Sequence, residues 1–452
     1  MRATDARRRA SRRARPWLAL TFATSACASL DGLTRGDAGA GGVEAGGGDT
    51  SVPVDASTDA TTAKDAAKDA RRDAALHDAG GDRGLVPDVA AGDASACAEA
   101  CPTGQVCQAG ACVCPSGGLL CSGGCVDPAG DLGNCGACGV VCSGACQLGR
   151  CVVVIASNQA APTRVIVDGA YAYWADYGAA SGNGAIARVP LAGGAAETLA
   201  PSRLFPSAMA IDGTSLYWIE ADADDENGKV LRMPLDGGTI DTLATSVAPL
   251  EIAIDARHVY WTTFDPGTSP YGTLLVAAKD GGATSTLASN QMGLSGLAID
   301  GTRAYWGTSN GGGAVMSVPL DGGSATELAA SASGAPVSVV VDPKRVYWTT
   351  VTDTVSGQTG VLEQAPLDGG APVTLISDST EVGAIAVDTT SLYWTDGTTG
   401  GSIFQRPLDG GATTTLGINQ DQIFHLAVDP TSLYWVIGSG GYGGTIVKLS
   451  PK

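Results

Sequence analysis

Residues 295–329 read Ser295-Gly-Leu-Ala-Ile-Asp-Gly-Thr-Arg-Ala-Tyr-Trp-Gly-Thr-Ser-Asn-Gly-Gly-Gly-Ala-Val-Met-Ser-Val-Pro-Leu-Asp-Gly-Gly-Ser-Ala-Thr-Glu-Leu-Ala329. Four short runs stand out: Ser295–Asp300, Arg303–Gly307, Gly313–Pro319 and Ala325–Ala329. Each is rich in β-branched, aromatic or small apolar residues, and Gly, Asp, Asn and Ser separate them. That pattern predicts four antiparallel strands. Asp321-Gly322, between the third and fourth runs, predicts a two-residue hairpin turn with positive φ.

The pattern recurs. Tyr-Trp occurs at 173–174, 217–218, 260–261, 305–306, 347–348, 393–394 and 434–435, at intervals of 44, 43, 45, 42, 46 and 41 residues. In every copy an Asp stands five residues before the Tyr: Asp168, Asp212, Asp255, Asp300, Asp342, Asp388 and Asp429. Asp-Gly-Gly recurs at 236–238, 280–282, 368–370 and 409–411, with Ala192-Gly-Gly in the first copy. A strand-built period in the forties is the mark of propeller blades.

The seventh copy ends after three strands, at Thr445-Ile-Val-Lys-Leu-Ser. Val152-Val-Val-Ile-Ala-Ser-Asn158 matches fourth-strand segments such as Thr284-Ser-Thr-Leu-Ala-Ser-Asn290. The expectation is therefore an all-β, seven-bladed β-propeller over 152–452, with four-stranded blades and the N-terminal strand closing the ring. Closure hides a sheet edge. The Tyr-Trp dyads resemble those of the YWTD-repeat and related propellers, TolB-like ones included, although only Tyr393-Trp-Thr-Asp396 keeps the full motif and seven copies depart from that family's six.

The repeated residues are expected to be structural. One Trp per blade suits packing between blades, and each Asp suits the cap of a tight turn. The residue four places before each Asp is different. It reads Arg164, Ala208, Glu251, Gly296, Ser338, Ala384 and His425, small residues broken by polar ones, and should lie near one mouth of the central channel. Arg164, Glu251, Ser338 and His425 are the ligand-binding candidates. Arg164 and His425 are expected side by side, with Glu251 facing them, in a pocket for an anionic or sugar-like ligand.

Upstream, Arg2, Arg7, Arg8, Arg9, Arg12, Arg13 and Arg15 precede an apolar run from Trp17 to Ala26. The run is too short to span a bilayer and has the form of an export signal. It ends Thr24-Ser25-Ala26-Cys27 and resembles a bacterial lipoprotein signal, with Thr24 where that pattern has Leu. The resemblance implies a signal over 1–26 and a lipid on Cys27. Ala28 after that Cys implies the outer membrane. The rival is cleavage after Ala28, which releases the protein to the periplasm or the exterior.

Residues 27–96 are Asp-, Ala- and Gly-rich without an aromatic residue, the composition of a disordered tether. Residues 97–151 hold Cys97, Cys101, Cys107, Cys112, Cys114, Cys121, Cys125, Cys135, Cys138, Cys142, Cys146 and Cys151. An even set in an exported chain predicts disulfides of open connectivity. The run Cys121-Ser-Gly-Gly-Cys125 to Cys142 resembles the cysteine-rich stigma-specific proteins, which implies an extracellular interaction or spacer module.

With 27 Lys and Arg against 46 Asp and Glu, the formal charge of −19 excludes a basic nucleic-acid footprint. The propeller segment has no Cys and only His258 and His425, a poor inventory for nucleophilic catalysis. Asp222-Ala-Asp224-Asp-Glu226-Asn-Gly228 approaches a calcium loop, but its Gly comes one place late for the usual register. The expectation is thus no resident cofactor, with calcium at Asp222, Asp224 and Glu226 as the alternative. The expected function is non-catalytic binding or scaffolding of an envelope protein or glycan, with membrane attachment through the lipid alone. The enzymatic alternative is a calcium-dependent propeller hydrolase or lyase acting on an extracellular substrate.

Overall fold

The computed structural model describes residue 97 and residues 99–452, apart from 179–181, 222–226, 265–270, 355–356, 380–381, 397–399, 421–422 and 439–442. The signal, Cys27 and the tether lie outside the described residues, as does the acidic loop carrying Asp222, Asp224 and Glu226.

The repeat folds into seven antiparallel sheets, six of them built in chain order from the channel outwards and the seventh completed by an N-terminal strand. Blade one pairs Pro162–Val167, Tyr171–Asp176, Gly184–Pro190 and Glu197–Arg203. Blade four pairs Ser295–Ile299, Arg303–Thr308, Ala314–Pro319 and Thr326–Ala330, within a residue or two of the four runs in the sequence. The turn between its last two strands differs from expectation. Gly322 N–H bonds the Pro319 carbonyl, and positive φ falls on Gly322 and Gly323, not on Asp321. A β-turn followed by two left-handed glycines replaces the tight two-residue hairpin, because Pro319 and Leu320 continue the chain past the paired register.

Blade seven closes the ring as the sequence implies. Its third strand, Gly444–Ser450, pairs antiparallel with Arg150–Gln159, with Val447 opposite Val154 and Leu449 opposite Val152. The seam repeats a contact made elsewhere. A Cβ on Gly444 would sit 2.3 Å from Cδ of Pro162, as one on Gly228 would from Pro249. Tyr434, Val436 and Ile446 of blade seven pack with Val165, Trp174 and Val189 of blade one.

The cysteine module is continuous with this sheet. Ala145–Gln147 adds a fifth strand outside Arg150–Gln159, so the boundary at 151/152 falls within one strand. All twelve cysteines pair, as 97–107, 101–112, 114–125, 121–138, 135–146 and 142–151. The first two loops interleave, and the last four overlap in series and end on Cys151 in the closing strand. The module leaves Leu120, Leu132 and Val141 exposed, so the bridges substitute for a core it lacks. Six disulfides mark the chain as extracytoplasmic.

Candidate functional site at the channel mouth

The seven-fold residues are consumed by the scaffold. Every dyad Trp is at most 3% exposed, and each packs against the Tyr of the preceding blade, as Trp218 does on Tyr173. In blade four, Asp300 Oδ1 accepts the backbone N–H groups of Thr302 and Arg303 at 2.8 Å, and Oδ2 accepts the Tyr305 hydroxyl at 2.7 Å. The same clasp forms in all seven blades, with Tyr hydroxyls 2.7–3.0 Å from the Asp oxygens. Burial, then the bonded carboxylate, pushes Tyr173 and Tyr347 up to about 12. Burial works against ionisation of Asp255, but the Tyr260 hydroxyl and two backbone N–H groups outweigh it and hold that carboxyl at about 2. The Tyr hydroxyl as the Asp partner was not read from the sequence, though the invariant five-residue spacing carries it.

The candidates four places before each Asp lie near the start of the innermost strands, at the end opposite these turns. Arg164 of blade one reaches past blade two to Glu251 of blade three. Its Nη2 lies 2.9 Å from both carboxylate oxygens, with both side chains about a quarter exposed. Ala208 stands between them in blade two and leaves room for the crossing. Glu251 is further fixed through its backbone N–H, which donates to Thr262 Oγ1 at 3.1 Å.

His425 of blade seven flanks the pair. Burial first, and then the Arg164 charge, hold its imidazole well below the usual histidine range, against an opposing contribution from the Val165 backbone. Its Nδ1 is buried and has no partner in hydrogen-bonding geometry among the described residues, although the Val165 backbone lies close enough to favour protonation of the ring. Ser338 of blade five is half-buried on the same ring of positions. Arg164, Glu251 and His425 thus come together as expected. The Arg164 charge, however, is matched by Glu251 instead of facing an open channel. The mouth carries a neutral imidazole and an internally balanced ion pair, a surface of donors and acceptors with little net charge.

Other polar residues were not anticipated. Buried Glu363 accepts the Trp348 indole N–H at 2.9 Å, the Ser331 hydroxyl at 2.9 Å and the Ala332 N–H at 3.3 Å. Lys279 and Lys452 stand where other blades have Leu, as in Val-Pro-Leu-Asp-Gly-Gly. Lys279 pairs with Asp212 of the preceding blade at 2.6 Å, and Lys452 pairs with Asp388 in the same way. The break in the repeat at these positions was the available signal.

No protein-family model matches the chain, and no curated protein matches it. Solved structures do. A chain of a nidogen/laminin complex is 18% identical, with 59% of this chain and 85% of that chain covered and a TM-score of 0.38. The β-propeller domain of the trilobed protease from Pyrococcus furiosus is 10% identical, covering 66% and 95%, at 0.49. A gluconolactonase from Xanthomonas campestris is 13% identical, covering 67% and 90%, at 0.41. Function is therefore argued from the site and not from these likenesses.

Proposed function

We propose that the protein is a non-catalytic extracytoplasmic binding protein, tethered to the envelope by a lipid on Cys27, that uses the propeller as an interaction platform. The observation that carries the reading is the Arg164–Glu251 pair across the channel mouth beside His425, whose Nδ1 has no partner in hydrogen-bonding geometry among the described residues. Seven repeats would build a ring of like residues. This ring is polar only on blades one, three, five and seven, and small on the others.

Because the ion pair is balanced and the imidazole is neutral, the surface suits a polar, uncharged group better than an anion. The hydroxyls of an envelope glycan have that chemistry: Arg164 and Glu251 offer a donor and an acceptor, and His425 a further bond. The test is calorimetric titration of envelope glycans and peptides into the wild type, Arg164→Ala and His425→Ala. A ligand whose affinity falls tenfold or more in both variants supports the site. Equal affinity in all three proteins removes binding from the mouth. The tether is tested separately by mass spectrometry of the mature N-terminus: diacylglycerol on Cys27 is expected, and a free Ser29 contradicts it.

A further inference from the structure

The turn face, opposite the mouth, carries an arginine clamp that is complete in blades one and two and lacks its acid in blade five. In blade one, Arg188 Nη1 donates to the Leu235 carbonyl of blade two at 2.6 Å, while Nε and Nη2 fork onto Glu197 Oε2 at 3.0 and 2.9 Å. In blade two, Arg232 Nη1 donates to the Lys279 carbonyl of blade three at 2.7 Å, and Nη2 holds Asp241 at 2.6 Å. The acid comes each time from the fourth strand, directly across from the arginine.

Blade five keeps the guanidinium and the carbonyl. Arg345 Nη1 donates to the Leu408 carbonyl of blade six at 3.1 Å. The register position of Arg188 and Arg232 is taken by Gln364, and the residue opposite it is Val373, where blades one and two have Glu197 and Asp241. Neither Arg345 nor Arg406 is in an ion pair among the described residues. At this place lies a cavity of about 160 Å³, lined by Arg345, Tyr347, Gln364, Leu375, Leu392 and Arg406. It adjoins a wider depression that includes Lys344. Asp342 at its edge is occupied by the Tyr347 hydroxyl and two backbone N–H groups. Asp409 is exposed on the rim, so three cations face two carboxylates.

We propose that this cleft binds a carboxylate on a short apolar stem, the incoming group standing where Glu197 and Asp241 stand in blades one and two. A planar guanidinium recognises a carboxylate through paired N–H donors, and Leu375 and Leu392 receive the stem. The cavity is below the ~300 Å³ at which pockets enclose drug-sized ligands, so the occupant is a small acid or a single acidic side chain. A free carboxylic acid and a glutamate presented by a partner supply the same chemistry.

The experiment titrates the full, oxidised chain with propionate, with methyl propionate and with a capped glutamate-containing peptide, read by heat and by NMR shifts. Propionate is expected to bind and its methyl ester not to. Affinity should fall tenfold or more in Arg345→Gln. Val373→Glu restores the internal acid and should abolish binding while leaving every arginine in place. Tighter binding of the peptide than of propionate assigns the site to a partner side chain, and the reverse assigns it to a small acid. Equal binding of acid and ester, or unchanged affinity in Val373→Glu, overturns the proposal. Arg164→Ala is expected to leave this binding untouched, which separates its failure from that of the channel mouth.

Discussion

Replacing Asp176 with Asn should change how the stability of the propeller depends on pH. Asp176 ends the second strand of blade one, is 6% exposed, and its Oδ1 has no hydrogen-bond partner among the described residues. Burial raises its carboxyl from 3.8 to about 6, against smaller opposing effects of the Trp174 side chain and the Ala160 N–H. A group whose folded pKa is raised binds its proton more tightly in the folded state. Its stabilising contribution is complete below about pH 4 and is lost as pH rises through about 6. A rise of this size corresponds to roughly 3 kcal/mol. Urea unfolding of the wild type and of Asp176→Asn at half-unit steps from pH 4 to 8 reads the effect directly, because every other titrating group is common to both. The variant is expected to gain about 2 kcal/mol on the wild type between pH 4 and 7, the remainder having been lost below pH 4. Parallel stability curves would refute the burial argument.

Removing one clasp by Tyr305→Phe should cost about 1.5–3 kcal/mol, the range for a hydrogen bond to a charged group, read as a lower urea midpoint with unchanged slope. Gly228→Ala places a Cβ 2.3 Å from Pro249 Cδ and 2.9 Å from the Glu220 carbonyl, and overpacking of that kind should cost about 1–3 kcal/mol in the same assay. Deleting residues 152–157 removes most of the fourth strand of blade seven, so cooperative thermal unfolding should be lost; an unchanged melting temperature would contradict closure by this strand.

Blade number, strand limits and ring closure were legible because the period repeats and each blade states its own hydrophobic pattern. The structural roles of the Trp and Asp residues were legible for the same reason. The Arg164–Glu251 bond was legible only as proximity. Whether an arginine of blade one reaches blade three depends on channel width and on Ala208 being small, neither of which a linear pattern expresses. The incomplete clamp at Arg345 was harder still. It is assembled from Gln364, Val373, Arg345 and Leu408, on four strands or turns of two blades, and shows only when the blades are superposed in register. Disulfide pairing had to come from the structure, since spacing alone leaves the partners open.

The central claim is that the repeated residues hold the scaffold while the unrepeated ones at the mouth bind. The measurement that tests it most directly sets affinity against stability for two sets of variants. Once a glycan or peptide ligand is found, its affinity and the urea midpoint are measured for Tyr305→Phe and for His425→Ala. Tyr305→Phe is expected to lower the midpoint and keep the affinity. His425→Ala is expected to keep the unfolding free energy within about 1 kcal/mol and to weaken binding at least tenfold. Affinity that falls in Tyr305→Phe and stays unchanged in His425→Ala would contradict the account.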